Sequence, residues 1–200
     1  REYRQNNYQI NQGYNMLQQD RNELADVKRD IRLMERAMDH HRIQKANAIQ
    51  KDLIRDFRRE VEQSEYKVEL AKREVAESRE EVKSEKYESR RSPYNRHDNR
   101  RDLEDDRRDL RDDKRDLERQ IERYRRQKEI LRDIKNFRHD FRGNGYKASA
   151  IQLNMMNEFV KMMESDIAVT ERELREDHRE SREDMAERHE DRRYNHGPRY

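Results

Sequence analysis

The chain has 200 residues, 47% of them charged and 30% hydrophobic, with 4 Gly, 2 Pro, no Trp and no Cys. This excludes an ordinary compact domain with a broad apolar core, and the missing cysteine excludes disulfides, thiolate metal sites and thiol catalysis. Because 48 Lys and Arg almost cancel 46 Asp and Glu and alternate with them along the chain, self-repelling disorder is excluded too, leaving long helices laced with opposite charges.

The first predicted helix covers 5–40, where Tyr3, Ile10, Leu17, Leu24, Ile31 and Met38 recur every seven residues. The stripe then slips by two residues before Ile54, which places a turn near His40 and His41. The second helix covers 45–90 on Ile54, Val61, Val68, Val75 and Val82. It ends before SRRSPYN, where Ser92 is a helix N-cap and Pro93 a first helical residue whose missing amide costs nothing. The third covers 94–142 on Leu103, Leu110, Leu117, Tyr124 and Leu131. RGNGYK, from Arg142 to Lys147, stops it with glycines that accept left-handed backbone. The fourth covers 147–192, and residues 194–200 form a flexible tail. Pairs such as Glu69 with Arg73, Glu104 with Arg108 and Glu122 with Arg126 stand four apart in the favourable order, each adding about 0.2 to 0.5 kcal/mol.

The expected fold class is therefore all-α: an elongated antiparallel up-down-up-down four-helix bundle, a coiled-coil rod made of two tandem hairpins, 1–91 and 92–193, packed as one domain. The alternative is a three-helix arrangement in which helices 1 and 2 run on continuously through the histidines. The third series runs backwards against the second about a fold-back at Ser92 and Pro93, pairing Val82 with Leu103 and Ile54 with Leu131. An internal repeat supports the two hairpins: KANAIQKDLIRDF from Lys45 returns as KASAIQLNMMNEF from Lys147. It reads as a copied helix start rather than a copied site. Phe57, Phe137, Phe141 and Phe159 lie near the turns together with most of the methionines, so the firmest core is expected there. The opposite half has a thin seam in which Ala71 and Ser78 back the valines and Asp106 and Asp113 back the leucines.

Carboxylates occur everywhere along this chain, but no pattern marks a shielded cleft in which their pKa values would be shifted, so the expectation is a non-enzymatic protein without a cofactor. The leading reading is an interaction or scaffold protein that binds macromolecules through charged helix faces and a Met-rich apolar end, with Met155, Met156, Met162 and Met163 as partner-binding residues. A protein partner or self-association, including a homodimer, fits that reading. Nucleic acid does not, because Asp and Glu are interleaved with Arg in RRDLEDDRRDLRDDKRDLERQ. One alternative is a metal-binding protein holding zinc or copper through His40, His41 and His139, which the two turns would draw together. A further alternative is a chaperone-like peptide binder. No apolar run reaches the roughly 20 residues of a membrane span, so a soluble chain is expected. A start at Arg1 rather than Met fits a trimmed chain or a periplasmic or secreted product after signal removal.

Overall fold

The computed structural model describes residues 2–91, 98–140 and 145–195, with side chains for 10–88, 101–136, 150–179, 181, 182 and 185. The chain is an all-α helical bundle of four helices, α1 (Glu2–Asp39), α2 (Ile43–Arg91), α3 (Asp98–Asp140) and α4 (Gly145–Asn195), and no strand occurs among the described residues. The two breaker turns, at Ser92 and Pro93 and at Arg142 to Asn144, lie outside the described residues, as do Phe141 and the tail from His196. Tyr194 and Asn195, expected in that tail, belong to α4.

The turn without Gly or Pro is well defined. α1 ends at Asp39, and His41 adopts left-handed backbone with φ of 54°. The amide of Arg42 donates to the carbonyl of Ala37 at 2.7 Å, and that of His41 donates to Met38 at 2.9 Å, the paired bonds of a Schellman cap. The Arg42 carbonyl then accepts from Ala46 at 3.0 Å and opens α2. The continuous-helix alternative is thereby overturned, because the chain reverses its local backbone hand between the two helices.

Two compact units make up the chain, one of Arg1–Ile49 with Asn157–Tyr200, the other of Gln50–Met156. In the first unit α1 pairs with α4: Arg21 and Lys28 reach Glu171 and Glu164 at 2.7 and 2.5 Å. Leu174 is buried against Gly13, whose missing Cβ leaves room for it. Ile10, Leu17, Val27, Ile31, Met34 and Phe159 are buried in this unit, whereas Leu24 and Met38 of the expected stripe are only half-buried. Val27, Met34 and Ala37, at the other seam positions of α1, are buried instead, so the core of α1 draws on two rows rather than on the single seven-residue stripe.

In the second unit α2 and α3 form an antiparallel hairpin around Leu53, Phe57, Ile130 and Ile134, all at most 1% exposed. Complete burial of such side chains contributes about 1.5 to 3 kcal/mol each. Val61, Val68 and Val75 continue the seam on α2, but their counterparts Leu103, Leu110, Leu117 and Tyr124 are only half-buried. The thin half foreseen in the sequence is thus real on α3. The register differs from the expected one. Ser78 donates its hydroxyl hydrogen bond to Asp113, and Tyr124 donates to Glu65 at 2.7 Å, which moves the midpoint of the pairing a few residues beyond Pro93. Sevenfold repetition fixes which face turns inward but leaves sliding along the seam to be settled by the actual side-chain contacts.

Candidate functional site

His40 and His41 are both exposed in the turn of the first unit, and their placement follows from the cap. His139 stands in the last turn of α3, and its side chain lies outside the described residues. Among the described residues no group of three or more His, Asp or Glu side chains is arranged to hold a metal ion. The methionines divide by depth. Met156 and Met163 are buried, at 0% and 5% exposure, while Met155 and Met162 are half-buried. Half of the expected apolar contact set therefore serves as core packing, in keeping with the adaptable shape of methionine.

A concave surface forms elsewhere, along one face of α3. Tyr124, Arg125, Lys128, Glu129, Leu131, Arg132, Lys135 and Asn136 line an open groove of about 630 Å³. Their spacing of three and four residues repeats once per helical turn, so the described lining residues share one side of α3. Leu131 is buried at the floor, and the ring of Tyr124 and the aliphatic stems of the basic side chains extend this apolar surface. Among the described residues the rim carries Arg125, Lys128, Arg132 and Lys135 against Glu129. Glu129 also faces Arg126 at 3.4 Å, which draws its charge toward the neighbouring side of the helix.

Local contacts fix part of this surface in place. The hydroxyl of Tyr124 donates to Glu65 of α2 at 2.7 Å and accepts from Lys128 Nζ at 3.3 Å. The same ammonium lies 5.2 Å from the Tyr124 ring centroid, within range of a cation–π attraction. Tyr124 therefore acts as a strut that holds Lys128 at the rim and ties the groove to α2. Arg132 leans on the adjacent Asp133 at 3.3 Å, a solvent-exposed pair of little strength. With Leu131 already covered, the apolar surface open to a partner is the Tyr124 ring and the basic stems, and this surface beside a mainly basic rim favours an amphipathic partner over a simple ion because it gains when an apolar group dries it.

The sequence held the signal for this groove. From Arg123 to Lys135 basic residues outnumber acidic ones, whereas the chain as a whole carries a net charge of only +2. Attention to the balanced stretch between Arg100 and Gln120 hides this local excess. Elsewhere the surface is dominated by paired charges, such as Arg108 with Asp105 at 3.1 Å and Arg115 with Asp112 at 2.9 Å, which offer a partner little net field.

Among the described residues, two carboxylates are perturbed for opposite reasons. Glu85 of α2 is raised above the ordinary glutamate value of 4.5, first by desolvation and then by the fields of Glu88, Asp106 and Asp102. Asp106 has a buried Oδ2 without a hydrogen-bond partner among the described residues. Glu171 is lowered, chiefly by the hydrogen bond from Arg21 and further by Arg175, with partial burial opposing. Both carboxylates belong to helix pairing rather than to the groove. Among the described residues no helix is long and apolar enough to cross a membrane. No protein-family model, no curated protein and no solved structure matches the chain.

Proposed function

We propose that this chain is a non-enzymatic helical interaction protein that binds macromolecules through its charged helix faces, with the α3 groove as the principal contact. The observation that carries this reading is the conjunction on one helix face of an apolar surface, the half-buried Tyr124 ring and the stems of the basic side chains beside buried Leu131, with a basic rim at Arg125, Lys128, Arg132 and Lys135. Its occupant is an acidic amphipathic helical segment of a protein, which offers apolar side chains to the floor and carboxylates to the rim. Phosphate backbones satisfy the rim alone and leave the floor wet, which favours protein over nucleic acid. Met155 and Met162, half-buried on α4, are a lesser apolar contribution to binding.

Fluorescence anisotropy with a labelled acidic amphipathic helical peptide tests the reading. The peptide should bind, weaken as salt is raised, and bind several-fold more weakly to an Arg125→Gln, Arg132→Gln double variant. A scrambled peptide of equal charge but no apolar face should bind poorly. Equal binding of the scrambled peptide or of single-stranded DNA would reduce the groove to a nonspecific basic surface, and the proposal would fail.

A further inference from the structure

The outward face of α2 presents chemistry complementary to that of the groove. Tyr66, Leu70, Glu74, Glu77, Glu81 and Glu88 succeed one another at steps of three, four and seven residues, so they form one stripe along the helix. Tyr66 is 65% exposed, Leu70 is half-buried, and the four glutamates are exposed. This stripe lies on the side of α2 away from the buried row of Val61, Val68 and Val75. Charges elsewhere on α2 close on themselves, as in Lys72 with Glu69 at 2.6 Å and Lys83 with Glu80 at 2.5 Å. Glu74, Glu77 and Glu81 form no such pair among the described residues, and Arg73 is the basic neighbour bordering them. The stripe is therefore an acidic amphipathic helix surface of the kind that the groove selects.

We infer that the segment seated in the α3 groove is the α2 stripe of a second copy of this chain, with Glu74, Glu77 and Glu81 facing Arg125, Arg132 and Lys135 and the Tyr66 and Leu70 end packing on α3 beyond the basic rim. The inference rests on the groove being a protein-binding surface and names its partner. Opposite charges in matching helical periods attract, and each surface is otherwise left with an unbalanced field. Groove and stripe are different surfaces of one chain, so the contact is head-to-tail. Each copy offers one donor and one acceptor surface, and association continues past the dimer unless the rotation closes a ring.

Two variants separate the halves of the contact. Arg125→Gln with Arg132→Gln removes charge from the groove and keeps the stripe; Glu77→Gln with Glu81→Gln does the reverse. All four positions are exposed, and glutamine is a good helix former, so helix content should stay unchanged. In sedimentation velocity, the wild-type chain should shift with concentration to species larger than a dimer, and this shift should shrink as salt is added. Each variant alone should remain monomeric over the same range. Mixed together, they should form a discrete one-to-one dimer that grows no further, because only one functional groove and one functional stripe remain.

A wild-type chain that stays monomeric at all concentrations overturns the inference, as does association that survives either double substitution or a mixture that remains monomeric. The peptide experiment, performed at concentrations where the chain is monomeric, reads the groove independently. Peptide binding without self-association would reject the second copy and retain the groove. Failure of both would reject the binding surface itself.

Discussion

His41 shows how a single backbone conformation decides connectivity. Its φ of 54° lies where a Cβ meets the carbonyl oxygen, at a cost of about 1 to 2 kcal/mol for a residue other than glycine. Two cap hydrogen bonds, from Arg42 to Ala37 and from His41 to Met38, hold it there. His41→Gly should therefore stabilise the chain by about 1 kcal/mol in urea unfolding; a loss of stability would mean that the imidazole has a role beyond the turn. Gln127 is a second case. It is fully buried, and neither its amide oxygen nor its nitrogen has a hydrogen-bond partner among the described residues. A buried amide left this way costs about 1 to 3 kcal/mol, so Gln127→Leu, which conserves volume, should raise the unfolding free energy. If it lowers stability instead, the amide is partnered in solution. Gln50 and Gln152, equivalent positions of the KANAIQ and KASAIQ repeat, are also buried, at 2% and 0% exposure. Gln152 reaches the Ile134 carbonyl at the long distance of 3.5 Å. The two glutamines thus hold alike buried places in KANAIQ and KASAIQ.

At the scale of elements, the pairing of α1 with α4 depends on Gly13. A glycine inside a helix costs about 1 kcal/mol relative to alanine, yet a Cβ here would overlap Leu174 Cδ2. Close approach and helix propensity are in conflict at this position. Gly13→Ala should return most of that 1 kcal/mol when Leu174→Ala is also present, and clearly less when Leu174 is intact. Additivity of the two changes within about 0.5 kcal/mol in a double-mutant cycle would show that the helices do not depend on this contact. α2 and α3 illustrate the opposite strategy, a seam that becomes polar along its length. Phe57 and Ile134 are fully buried, Ser78 and Asp113 are joined by a hydrogen bond, and further along Glu85 meets the fields of Asp102 and Asp106. Exposed i,i+3 ion pairs, such as Lys72 with Glu69 and Arg115 with Asp112, add a little to helices whose layers each bury little surface.

Acidity should act with opposite sign on the surroundings of two carboxylates, one in each unit. Glu85, raised in the fold, binds its proton more tightly folded than unfolded; its contribution is fully present below about pH 4.5 and is lost as pH rises through the folded value. Glu171, lowered in the fold, contributes above about pH 4.5, and that contribution is lost as pH falls through its folded value. Hydrogen exchange corrected for intrinsic rates should show α2 and α3 near Glu85 better protected at about pH 4.5 than at about pH 7. The α1 and α4 amides beside Arg21 and Glu171 should lose protection as the pH falls further, and the same response at the amides beside Glu85 would contradict these assignments. Helix number, helix ends to within four residues, the turn at His40 and His41 and the thin seam on α3 were legible in the sequence, because heptad spacing and local capping are properties of neighbouring residues. The register of α2 on α3, the pairing of α1 with α4, the burial of Met156 and Met163 and the groove on α3 were decided only by tertiary structure. A repeating pattern specifies which face of a helix is apolar, but many sliding registers and several partner helices satisfy one pattern equally. Only particular contacts, such as Leu174 on Gly13 and Ser78 with Asp113, distinguish among them.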